Sequence, residues 1–71
     1  MNQGFRLDTD RVKLIALDMG LTERELLKRA DVSKDIIARA RRGSVTTATT
    51  IAKLAAVLEC RPSELIVKGG D

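Results

Sequence analysis

Apolar residues recur along this chain at the 3–4-residue spacing of buried helix faces, in several short stretches separated by capping and turn residues. Asp8, Thr9 and Asp10 supply capping oxygens and N-terminal negative charge for a first helix at roughly 10–19. Val12, Ile15 and Met19 form its seam at i, i+3 and i+7, and Gly20 stops it. Thr22 and Glu25 make a T-x-x-E capping box that opens a second helix at about 23–30, with Leu26, Leu27 and Ala30 inward. After the tight connection Asp31-Val32, Ser33 is a good N-cap and Gly43 a good C′ residue for a third helix over 34–42, about 13 Å long. On that helix Ile36, Ile37 and Ala40 share one side. Lys34, Asp35, Ala38, Arg39 and Arg42 fan across the other, with Arg41 on the border.

A fourth helix at about 48–58 buries Ile51, Leu54, Ala55 and Leu58, and Pro62 sits at N1 of a last short turn through Leu65-Ile66. Residues 1–7 read as a flexible or weakly extended lead-in, and Lys68 to Asp71 as a frayed end. The stretch 44–50 carries five hydroxyl residues in seven. It reads as a loop plus an N-capped first turn, with phosphate contact by one or two threonines as the sharper alternative.

Composition narrows the function classes. Seventy-one residues make one domain, 1–71, whose core is too small to surround a deep substrate pocket, so no small-molecule substrate is expected. With no His and a single Cys, neither a four-ligand zinc site nor a Ser-His or Cys-His pair is available. No catalytic residue, metal or cofactor is expected. The lone Cys60 reads as a small hydrophobe and fits a reducing cytoplasm. There is no 18-residue apolar run, and residues 1–11 already carry four charges, which argues against a membrane span and a signal peptide. The formal net charge is +3. Lys34, Arg39, Arg41 and Arg42 against Asp35 give 4 − 1 = +3, so the whole excess lies on one short helix. Such concentration points to a polyanion.

Two short helices joined by a tight turn, the second with a basic outer face, describe a helix-turn-helix over 22–42. The fragments Gly20-Leu-Thr-Glu-Arg-Glu-Leu26, Val32-Ser-Lys-Asp-Ile-Ile-Ala-Arg39, Gly43, Thr50-Ile-Ala-Lys-Leu-Ala-Ala-Val-Leu58 and Glu64-Leu65-Ile66 follow in order. Together they resemble the Cro/cI-type helix-turn-helix family of phage and bacterial regulators, over about residues 10–66. The resemblance implies an all-α, compact four- to five-helix lambda-repressor-like domain that binds double-stranded DNA, with helix 34–42 in the major groove.

By the same resemblance, Lys34, Asp35 and Arg39 occupy base-facing positions, and small Ala38 lets the helix approach closely. Arg39 would bridge guanine O6 and N7 and Asp35 would accept from cytosine N4; the competing reading of Asp35 is a surface pair with Arg39 at i, i+4. Arg42, Ser44 and Thr46 lie where phosphate contacts are usual. Thr22 and Ser33 bring capped helix N-termini near phosphates, with Thr22 also readable as a purely structural cap. The chain departs from the family pattern at Glu23 for Gln, Leu27 for Ala, Asp31 for the turn Gly and Arg41 for Glu.

Nine residues of recognition helix read about one half-site, so a homodimer is the expected partner arrangement. Val57, Leu65 and Ile66 are the favoured contact residues; Leu14 and Leu17, off the first seam, are either partner surface or cover for Phe5 and Leu7. The resulting expectation is a transcriptional repressor, bacterial or phage-encoded and cytoplasmic. The alternative is an antitoxin-like protein-interaction module on the same fold.

Overall fold

The structure, a computed structural model, describes residues 4–67. The ends, 1–3 and 68–71, including the expected fraying at Lys68 to Asp71, lie outside the described residues. The elements in chain order are β1 (Phe5–Arg6), α1 (Thr9–Asp18), α2 (Glu23–Ala30), α3 (Ile36–Arg41), β2 (Val45–Thr46), α4 (Ala48–Leu58) and a 3-10 helix (Pro62–Leu65). The fold is the expected all-α helix-turn-helix arrangement, with a very small sheet added to it.

Local chemistry sets most helix boundaries. Asp8 caps α1, its Oδ1 accepting from the Arg11 backbone N–H at 3.1 Å. Beyond the end of α1, Gly20 at φ 73° donates to Leu17 O (3.0 Å) and Leu21 N–H to Ala16 O (2.8 Å), the paired bonds of a Schellman stop. This geometry corrects the expected seam. Val12 and Ala16 are buried and Ile15 half-buried, whereas Met19 is 40% exposed. Met19 lies past the last helical residue, and the stop folds Leu21 back in its place.

The capping box of α2 is complete: Glu25 N–H donates to Thr22 Oγ1 (3.1 Å) and Thr22 N–H to Glu25 Oε1 (3.0 Å). Leu26, Leu27 and Ala30 are buried as expected. Asp31, in place of the turn glycine, takes the left-handed conformation at φ 56°, which Asp tolerates better than most residues. Thr47 caps α4, and Ile51, Leu54, Ala55 and Leu58 line its buried face.

Glu59 closes α4 at φ 55°, where a Cβ is unfavourable. Glu59→Gly is therefore expected to be more stable than Glu59→Ala by about 1 kcal/mol. Thermal melts should separate the two variants by about 4–8 °C. Equal midpoints would mean the left-handed residue carries no strain.

Of the two expectations for the lead-in, the extended one holds over Phe5–Arg6. Phe5 and Arg6 pair antiparallel with Thr46 and Val45 respectively, so both the 1–7 segment and the 44–50 loop contribute strand. Leu7 forms a bridge to Ile66 and is buried. Asp8 N–H donates to Leu65 O (2.7 Å) and Val67 N–H to Arg6 O (2.9 Å). Burying Leu7 supplies the apolar gain, and these bonds satisfy the backbone that comes in with it. Gly4 lets the strands approach: a Cβ there would lie 2.2 Å from Val45 Cγ2.

The core is one continuous cluster in which Leu26, Ile51, Leu54, Leu65 and Val12 are the most deeply enclosed large side chains. Leu65, expected at a dimer contact, is 0% exposed. The 3-10 helix packs its Leu65 side against α4 and α1, which leaves it no outward surface. Leu14 and Leu17 are 59% and 70% exposed, so they do not cover Phe5 or Leu7.

Candidate nucleic-acid interface

Helix α3 is held by Ile37 and Ala40, both buried, with Ile36 half-buried beside them. It leans chiefly on α1 and on β2. Its extent is Ile36–Arg41, shorter than the expected 34–42, and about 9 Å long. Ser33 is not its N-cap. That position is Asp35, and no side chain caps the first turn. Ser33 Oγ instead donates to Asp35 Oδ1, and Ile36 N–H donates to Ser33 O at 3.3 Å, which makes Lys34-Asp35 a turn. With Asp35 at the N-cap position, Ser33 lies two residues ahead of it, and its hydroxyl donates to the Asp35 carboxylate, a strong acceptor.

The outward face is as the helical phase predicts. Lys34, Asp35, Ala38, Arg39, Arg41 and Arg42 are all exposed. Asp35 Oδ2 lies 3.0 Å from Arg39 Nε, with the two side chains 50% and 62% exposed. The hydrogen bond from Ser33, and then the Arg39 charge, hold the Asp35 carboxyl below the ordinary aspartate range. This is the one ion pair among the described residues, so Lys34, Arg41 and Arg42 have no carboxylate partner there. Gly43, at φ 94°, turns the chain out of α3, and Ser44 N–H donates to Arg39 O at 3.1 Å. Ser44 is thus exposed at the helix end beside Arg42, while Thr46 is half-buried in β2 opposite Phe5.

Thr22 stands at the start of α2 and shares a groove with Glu23, Ile37 and Arg41. Its hydroxyl accepts from Glu25 N–H and donates to Glu25 Oε1 (3.1 Å). The Thr22 backbone N–H, and then the Thr22 hydroxyl, both donating to Glu25 Oε1, hold the Glu25 carboxyl below the ordinary glutamate range. The side chain is therefore committed to the cap, which leaves the first-turn backbone N–H groups as the donors for an anion.

Several cations join this surface that the linear pattern does not single out. Arg24 and Lys28 of α2 line a shallow groove with Lys34. Lys13 of α1 lies along the groove that holds Arg41, and Arg6 pairs with Val45 beside Ser44. The turn between α2 and α3 brings Lys34 back beside Arg24, and a helix-turn-helix geometry applied to the sequence would have found them. Among the described residues no cluster of His, Cys, Asp and Glu is suited to a metal, and no helix is long and apolar enough to cross a membrane. Burial pushes the half-buried Cys60 thiol up, away from the reactive thiolate.

No curated protein and no solved structure gives a significant match to the chain. Residues 11–68 match the family model of the Cro/C1-type HTH DNA-binding domain.

Proposed function

The chain belongs to the Cro/C1-type helix-turn-helix DNA-binding family, whose members bind DNA and regulate transcription, and from that premise we propose that it is a repressor whose α3 enters the major groove of its operator. The observation that carries the reading is the outward face of α3 and its two ends: Arg39 and Arg41 on the helix, with Lys34, Asp35 and Arg42 flanking it, all exposed around a helix anchored from behind by Ile37 and Ala40. In this reading Arg39 reaches a guanine edge, and Ala38 permits the close approach. Lys34, Arg42 and Ser44 hold flanking phosphates, and Arg24 and Lys28 extend that contact along α2. Thr46 and the backbone at Thr22 and Ser33 lie at the margins of the footprint.

The salt dependence of binding tests the face directly. Log K should fall with log[salt] at about −0.9 per phosphate neutralised. Arg42→Ala should weaken all duplexes alike and flatten the slope by about one unit. A salt-independent affinity would remove α3 from the interface. Genome-wide binding of tagged protein then supplies the operator. Repression requires that a reporter driven by that operator rise when the protein is deleted; a fall would make it an activator.

We further propose that two copies bind together, because α3 spans only one half-site. With Leu65 in the core, the half-buried Val57 and Ile66 remain the contact residues of choice. Sedimentation of the protein with and without its operator checks this, and one copy per operator would refute it.

A further inference from the structure

We propose that Asp35 is a positioning residue rather than a base reader: anchored by Ser33, it grips Arg39 through Nε and leaves both terminal amino groups of the guanidinium free for one guanine. The proposal rests on the reading of α3 as the groove-facing helix. Three groups stand in series on the exposed face. Ser33 Oγ donates to Asp35 Oδ1, and Asp35 Oδ2 lies 3.0 Å from Arg39 Nε. Each carboxylate oxygen thus has its own partner.

The donor count fits the task. A guanidinium has five N–H donors in a rigid fork, of which the Nε contact uses one. Guanine presents two acceptors in the major groove, O6 and N7. The two terminal nitrogens meet both while Asp35 keeps hold of Nε.

Among the four cations of this face, Arg39 alone is given a bearing. Lys34, Arg41 and Arg42 lack a carboxylate partner among the described residues. An exposed i, i+4 pair contributes little to folding. The effect of this relay is therefore on binding, where an arginine already oriented loses less rotamer freedom when it meets the base.

The test uses the whole chain and the duplex that it selects from a random library. Each base pair of that duplex is replaced in turn, and Kd is measured for wild type, Arg39→Ala, Asp35→Ala, Asp35→Asn, Ser33→Ala and the Arg39→Ala/Asp35→Ala double variant. Arg39→Ala should cost about 5- to 150-fold in discrimination at one G·C pair. Asp35→Ala should cost about three- to thirtyfold at the same pair. Asn at 35 should retain part of this, because its one carbonyl oxygen still accepts from Nε. Ser33→Ala should act at that pair too, and Asp35→Ala should add nothing once Arg39 is gone. Melting midpoints should be unchanged throughout.

In the free protein, the Arg39 Nε–H resonance should exchange with solvent more slowly than that of Arg42, and lose that difference in Asp35→Ala. Should Asp35→Ala relax a different base pair, Asp35 reads a base and the relay is wrong while the role of Arg39 stands. Tighter binding to every duplex with unaltered discrimination would make Asp35 a mere repulsive charge, again overturning the relay alone. If Arg39→Ala weakens all sequences equally, Arg39 is a phosphate clamp, and base reading and relay fall together.

Discussion

Ile37→Ala is expected to lower the melting midpoint and weaken DNA binding by loosening the fold rather than by removing a contact to DNA. Ile37 is buried, on the side of α3 away from Ala38 and Arg39. It borders the groove formed with Val12, Ala16, Leu21 and Leu26. It is thus a principal apolar tie between the basic face and the scaffold. Truncation removes three methyl or methylene groups and leaves a cavity, a change of about 2–5 kcal/mol at buried sites. Because the groove admits solvent next to the cavity, the lower half of that range applies. A domain of this size has roughly 4–10 kcal/mol of stability in total, so even 2–3 kcal/mol populates the unfolded chain noticeably. The melting midpoint should fall by about 4–8 °C per kcal/mol. Operator DNA at about 100 times its Kd should restore about 2.7 kcal/mol, since only the folded chain binds it. A variant that melts like wild type yet fails to bind would place Ile37 in the groove and reverse the helical phase of α3.

What the sequence discloses here depends on whether the determining contacts are local. The start of α2 is legible because Thr22 and Glu25 are three residues apart and satisfy each other. The bounds of α4 are legible for a similar reason, with Thr47 capping and four apolar residues at helical spacing. The outward face of α3 follows from periodicity alone, and so does the Asp35–Arg39 pair at i, i+4. The strands are not legible. Phe5–Arg6 and Val45–Thr46 are two residues each, too short for any alternation, and their pairing joins distant parts of the chain. The cap at Ser33 misleads because α3 begins only at Ile36, which puts Asp35 and not Ser33 at the N-cap position. Met19 misleads because a seam continued by spacing does not know where the helix stops, and small Ala16 carries the burial instead. The half-burial of Thr46 and the company that Arg24 keeps with Lys34 depend on tertiary placement, which residue type alone does not reveal.

Leu65→Ala is expected to be among the most destabilising substitutions in the chain, and to act on the monomer. The residue is wholly enclosed, in a cluster shared with Leu26, Ile51, Leu54 and Val12. Its carbonyl also receives the Asp8 N–H at 2.7 Å, so the 3-10 helix closes over the segment leading into α1. Because the side chain is enclosed on every side, the site should show the larger part of the 2–5 kcal/mol range for a buried leucine truncated to alanine. That loss approaches the total available to so small a domain. The discriminating measurement is thermal unfolding at protein concentrations about 100-fold apart. If Leu65 stabilises each monomer, helical signal should be lost at low temperature at both concentrations, and operator DNA should recover only part of it. If Leu65 sat instead at a subunit contact, dilution of the wild type would reproduce the defect, and the variant would be a folded monomer. A folded, concentration-independent Leu65→Ala monomer would therefore return this residue to the dimer surface, and it would remove the 3-10 helix from the set of elements that hold α1 and α4 together.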